Sequence, residues 1–191
     1  RLILEELLAH FLSLRHLKKN RQQETAPPLL SQNQLAKRFL TALPFQLTAA
    51  QQRVIQEISS DIEKPYPMQR LLQGDVGSGK TVVAAFAAIQ AIENHYQVAL
   101  MAPTELLSEQ HYQHFYRWLM PLGCHVVYLR SKLKAKPKRQ IFSEIERGKA
   151  QIIIGTHAIF QEKVKFQKLG LIIVDEQHRF GVQQRLALWE K

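Results

Sequence analysis

Gly74-Asp75-Val76-Gly77-Ser78-Gly79-Lys80-Thr81 matches the phosphate-loop pattern G-x-x-x-x-G-K-[ST] at every fixed position. This octapeptide constrains the fold more than any other feature, because the pattern is expected between a strand and a helix. Small residues let successive backbone N–H groups turn toward phosphate oxygens. The next helix points its positive N-terminal end at the same anion. Lys80 then faces the β- and γ-phosphates, and the Thr81 hydroxyl is placed to ligate Mg²⁺. The flanks agree. Met68 to Gln73 reads as a short buried strand, and Thr81 to Ile92 as an apolar, Ala-rich helix packed on a sheet. A Gly/Ser turn is the plain alternative, but it would not bring strand, loop and helix in that order.

A second motif narrows the chemistry. Leu171-Ile172-Ile173-Val174 is an apolar, mostly β-branched run that reads as a parallel strand buried on both faces. It ends in Asp175-Glu176-Gln177-His178, with two carboxylates where open α/β sheets bind ligands. Asp175 is the candidate Mg²⁺ carboxylate and Glu176 the candidate base for an attacking water. His178 is placed to sense the γ-phosphate and relay its state. An acidic strand-to-loop turn explains the motif alone, but not its pairing with a phosphate loop.

Between the motifs, strands at Val98–Ala102, Val126–Leu129 and Ile152–Ile154 alternate with helices at Glu105–Leu119 and Lys138–Gly148. Alternation of this kind predicts an α/β fold with a parallel sheet. Phe115 and Trp118 read as core. Pro103-Thr104-Glu105 and Gly155-Thr156-His157 each come directly after a strand, where hydroxyl and N–H groups either cap a helix or meet a phosphate. His157 has no His or Cys at metal-ligand spacing.

Upstream, Leu2, Ile3, Leu7, Leu8, Phe11, Leu12, Leu14 and Leu17 form a helical apolar stripe. A polar linker through Pro27-Pro28 comes after it. Ser31-Gln32-Asn33-Gln34 reads as a capping box for a helix reaching Ala42, which Pro44 stops. Thr48 and Gln51 make another such box. The expected division is a helical extension over 1–43 and the phosphate-loop domain over 44–191.

Composition excludes some classes. The 191 residues suit one α/β domain with an appendage. Neither a long apolar run nor a signal peptide is visible, and Cys124 is alone, so a reducing cytoplasm is the expected setting. The net charge of +10 suits a polyanion partner. Lys132, Lys134, Lys136, Lys138 and Arg139 form the densest basic cluster, either facing DNA or lying in a solvated loop. A transporter ATPase would need its own Gly-rich signature before the acidic strand. A scaffold that keeps the fold alone would show degraded motifs, whereas Lys80, Thr81, Asp175 and Glu176 are all present.

Four segments together carry a family resemblance. They are Gln73 to Thr81, Met101-Ala102-Pro103-Thr104-Glu105-Leu106-Leu107, Gly155-Thr156-His157-Ala158-Ile159-Phe160-Gln161, and Asp175 to His178 with Arg179-Phe180-Gly181-Val182 after it. From about Leu43 to Lys191 the chain resembles the RecG branch of superfamily 2 helicases. The transcription-repair coupling branch is the nearest competitor, and Ser78 and Gln177 favour RecG. The resemblance implies a RecA-like P-loop NTPase domain with a central, mostly parallel sheet, helices on both faces and a helical extension before it. It also implies ATP and Mg²⁺ as ligands and branched or forked DNA as partner. In such helicases Gln51 meets adenine beside Phe45, while Thr104, Gly155, Thr156 and His157 touch the DNA backbone. A second RecA-like domain and an N-terminal wedge domain would complete the motor; the chain reads as the first motor domain with its connector.

Overall fold

The computed structural model describes residues 24–130, 133, 135–161 and 163–177. Among the described residues four strands build the sheet: β1 (Gln97–Met101), β2 (Val126–Leu129), β3 (Ile152–Gly155) and β4 (Leu169–Val174). Their order is β2-β3-β1-β4, and every neighbouring pair is parallel. Each crossover is therefore long. Helix α4 (Glu105–Leu119) joins β1 to β2, and α5 (Ala135–Glu146) joins β2 to β3.

Side-chain parity splits the core into two. Val98, Leu100, Val126, Ile152 and Ile154 pack with Phe115 and Leu119 of α4 and with the apolar face of α3 (Lys80–Glu93). Ala99, Val127, Leu129 and Ile153 point the other way, against Ile145 of α5 and Ile159 of a 3₁₀ turn at His157–Phe160. Helices thus cover both faces, as expected. Ile152, Ile153 and Ile154 are all fully buried, each stabilising the fold by about 1.5–3 kcal/mol. Their unbroken β-branched run belongs to an inner strand covered on both sides.

One buried polar side chain ties these layers together. Gln97 Nε2 donates to the Ile145 and Ala150 carbonyls at the end of α5. Its Oε1 accepts from the Gln167 and Lys168 amides at the entry to β4. The amide thereby uses its full set of two donors and two acceptor sites.

Several expectations need correction. Met68–Gln73 is not a strand and pairs with none in the sheet; Leu71 is 67% exposed. The segment is held instead by Arg70, whose guanidinium pairs with Asp61 and Glu57 of α2 (Ala49–Ile62), and by Met68 and Leu72 against the core. Leu171–Val174 is half-buried, because among the described residues β4 lies at the sheet edge, with β1 as its neighbour on one side. The Ser31 box is absent. Asn33 caps α1 (Gln34–Ala42) in a left-handed conformation with no side-chain cap, and the Leu35 amide is met by Glu93 of α3 at 2.6 Å. The Thr48 box is present in both directions.

The Pro27-Pro28 stretch is docked rather than free. The Ala26 and Leu29 amides donate to the Pro65 and Ile62 carbonyls. The Asn94 amide clamps both the N–H and the C=O of Leu30, as a strand partner would. Phe39 of α1 is buried against Phe86 and Trp118, so residues 24–42 share the core of the sheet. Phe115 is fully buried, as expected, and Trp118 packs partly buried on the same core. The apolar stripe before residue 18, along with Lys132, Lys134, His178 and Arg179–Val182, lies outside the described residues.

Candidate nucleotide site

The phosphate loop leads into α3, whose N-cap Gly79 is left-handed at φ 80°, as is Gly77 at φ 83°. Both conformations favour glycine. At Gly79 a Cβ would also collide with the Gln51 amide nitrogen. The Lys80 ammonium folds over the loop, donating to the Gly74 carbonyl at 2.6 Å and the Asp75 carbonyl at 2.9 Å. It stands where the small residues of the loop leave room for an anion. Thr81 lies next to it in the first turn of α3.

Gln51 links this loop to α2. Its Oε1 accepts from the Thr48 amide at 2.9 Å, and its Nε2 donates to the Ser78 carbonyl at 2.9 Å. The residue is therefore both a cap and a tether of the phosphate loop. Phe45 is 44% exposed nearby in sequence, just before that cap.

The acidic pair emerges at the carboxyl end of β4. The Asp175 amide still bonds to the Met101 carbonyl, which extends the ladder with β1 by one residue. Glu176 then turns left-handed at φ 50°. A non-glycine residue held there stores roughly 1–3 kcal/mol of strain, a feature that clusters at functional sites. The turn folds the Glu176 N–H back onto Asp175 Oδ1 at 3.0 Å. Asp175 Oδ2 meets His111 Nε2 of α4 at 2.7 Å. The His111 hydrogen bond is the main reason the Asp175 carboxyl lies below the usual carboxylate range. Burial opposes it, while the Glu176 N–H and the Lys80 charge assist. Asp175 is thus held ionised, as a metal-binding carboxylate must be.

Among the described residues no group of three His, Cys, Asp or Glu is gathered to hold a metal. Mg²⁺ keeps waters and binds through one or two carboxylates and substrate phosphates, so it does not require such a group. Asp175 and Thr81 are the residues that could hold it.

The remaining expected contacts divide by exposure. Thr104 caps α4 by accepting from the Leu107 amide at 3.2 Å. Gly155 and Thr156 are buried, and His157 beside them is exposed. Lys136 and Arg139 are exposed on α5, and Lys138 lies over the Phe142 ring. Sequence reasoning missed His111 and Gln97. His111 lies seven residues after Thr104 but 64 from Asp175, and no spacing rule joins them.

Several known proteins resemble this chain. A family model described as DEAD/DEAH box helicase matches residues 48–191. The chain is 56% identical, over its whole length, to an "ATP-dependent DNA helicase RecG" from Haemophilus influenzae, of which it spans 28%. It is 43% identical to the protein of that name from Aquifex aeolicus, spanning 24%. The chain thus covers about a quarter of such relatives. Among solved structures it is similar to a RecG bound to a three-way DNA junction, with a TM-score of 0.86 and 43% identity, covering 93% of this chain and 24% of that one. The UvsW helicase of bacteriophage T4 shares the fold at a TM-score of 0.61 and 17% identity, covering 87% of this chain and 57% of that one.

Proposed function

Because the chain belongs to the DEAD/DEAH box helicase family, we propose that it is the ATP-binding motor lobe of a RecG-like DNA helicase. The whole protein would couple ATP hydrolysis to remodelling of forks and junctions during DNA repair and recombination in the cytoplasm. The single observation that carries the reading is the convergence of the phosphate loop with Asp175 and Glu176 at one end of the sheet, with Lys80 close enough for its charge to act on Asp175. The identity to RecG proteins and the fold shared with the junction-bound RecG support the choice of branched DNA.

In this reading the loop amides and Lys80 bind the triphosphate, and Thr81 with Asp175 hold Mg²⁺. An ion held there would supply positive charge to the phosphates. Glu176 accepts the proton of the attacking water. His178 passes the state of the γ-phosphate to the rest of the motor. Gln51 recognises adenine with Phe45 beside it, exchanging its bond to Ser78 for one to the base. Thr104 and His157, with the backbone at Gly155 and Thr156, contact DNA phosphates, which positions the strand without reading its sequence. Residues 24–42 pack on this lobe, the extension leads toward a wedge domain, and a second RecA-like domain completes the cleft.

The test is nucleotide binding and turnover. Lys80→Ala should weaken ATP binding and abolish hydrolysis by the full-length helicase, since it removes the cation facing the phosphates. Glu176→Gln should keep Mg²⁺-ATP binding and lose most turnover. Near-normal hydrolysis in the Lys80 variant would sink the assignment. The 191-residue chain alone should turn over ATP slowly, because a transition-state arginine from a second domain typically contributes about 10³–10⁵ in rate.

A further inference from the structure

His111 stands outside every motif that defines the nucleotide site, yet it makes the shortest side-chain contact to the metal-binding carboxylate. It sits in the middle of α4, with a side chain 15% exposed, and its Nε2 lies 2.7 Å from Asp175 Oδ2. Its Nδ1 is buried and meets no partner among the described residues. The ring is therefore held through Nε2 alone, and Nε2 is the nitrogen that carries the donated proton. A buried N–H left at Nδ1 would meet nothing, whereas a bare ring nitrogen there costs less.

The two carboxylate oxygens of Asp175 are fixed from different elements. Oδ1 takes the Glu176 N–H within the strained turn, and Oδ2 takes His111 from α4. Each oxygen keeps a second acceptor direction. With both first directions occupied, the carboxylate plane is set, and the free directions are aimed before any ion arrives. Without His111, Asp175 would keep its backbone contact to Glu176 alone, and the carboxylate could rotate about χ2, which is a soft torsion.

We propose that His111 is a positioning residue, which orients the Asp175 carboxylate for Mg²⁺ and sets the affinity of the nucleotide site for that ion. The inference rests on the nucleotide reading of the site. Residues that orient a metal ligand typically contribute 10–100-fold to metal affinity. The imidazole here does for a carboxylate what a carboxylate does for a metal-bound histidine elsewhere.

The test compares the full chain with His111→Met and His111→Gln. Both side chains fill the buried position, and Gln alone offers an N–H at about the reach of Nε2. A fluorescent ATP analogue is titrated at fixed concentration while Mg²⁺ is varied, and separately in excess EDTA. His111→Met should raise the half-saturating Mg²⁺ concentration about 10-fold or more, with the EDTA affinity unchanged. His111→Gln should restore most of that loss. Unchanged Mg²⁺ dependence in both variants would overturn the proposal. So would an equal loss with and without Mg²⁺, which marks a merely structural residue. A second measurement needs no variant: the ring ¹⁵N signals of His111 should shift when Mg²⁺ joins bound nucleotide and stay fixed with nucleotide alone. Absence of that difference also overturns it. If the unsubstituted chain binds no nucleotide at all, the nucleotide reading fails first and this inference with it.

Discussion

Replacing Gln97 by Leu tests how far one buried amide holds the sheet to its connections. The substitution keeps size and burial but removes four hydrogen bonds. The Ile145 carbonyl retains the Gly148 N–H, so it is not stranded. The Ala150 carbonyl and the Gln167 and Lys168 amides lose the partner that Gln97 supplied. An orphaned buried group costs about 1–3 kcal/mol. Water reaches the two amides, since Gln167 and Lys168 are exposed, so they fall at the low end. Ala150 is fully buried and falls higher. The gross cost is about 4 kcal/mol, offset by about 1 kcal/mol from the better transfer of Leu. A net loss of about 3 kcal/mol should lower Tm by roughly 6–12 °C in a chain of this size. Thermal unfolding by circular dichroism measures it. A Tm within about 2 °C of the parent, less than the shift expected for 1 kcal/mol, would mean that water or backbone rearrangement replaces the amide. The bridge between α5 and β4 would then be incidental.

Gly79→Ala should cut nucleotide affinity at least tenfold and cost about 1–2 kcal/mol, because φ 80° penalises a Cβ that also strikes Gln51; isothermal titration and melting check the two effects. Asp61 is held below its usual range, first by its hydrogen bond from Lys64 and then by Arg70, with burial opposing. A depressed carboxyl stabilises the fold above its unfolded pKa of about 3.9 and loses that contribution as pH falls through the lower folded value. The Tm gap between the parent and Asp61→Asn should therefore hold from about pH 7 to 5 and shrink progressively as pH falls below about 4; a gap that stays constant from about pH 5 down to the acid limit of folding refutes the ion-pair explanation.

The sequence made local chemistry legible where one residue type has one use. The phosphate loop, the Thr48 box and the helix from Glu105 to Leu119 stand where the residues placed them, because each depends on neighbours within a few positions. Burial of the acidic strand was misread because apolar, β-branched residues suit inner and edge strands alike, and neighbours across the sheet decide between them. Met68–Gln73 failed for the same reason: a strand exists only by pairing, and Arg70 found its partners on α2 instead. Asn33 replaced the Ser31 box because Glu93, 58 residues away, met the Leu35 amide. His111 and Gln97 were invisible, since their partners are brought together by the fold alone.

The parallel sheet explains why so few elements suffice for the site. All four strands point the same way, so the segments leaving their carboxyl ends gather along one edge. Along that edge the order is β3, β1, β4, which sets Thr156 and His157 on one side, Thr104 in the middle and Asp175 with Glu176 on the other. The candidate DNA contacts and the nucleotide carboxylates are thereby adjacent without sharing a loop. Helix α4 starts at the middle position and sends His111, two turns later, to the Asp175 end. A rigid helix with one end at a candidate DNA contact and a side chain on the candidate metal carboxylate physically joins the two proposed sites. Removing the His111 contact would loosen the Asp175 carboxylate while leaving Thr104 and the start of α4 in place.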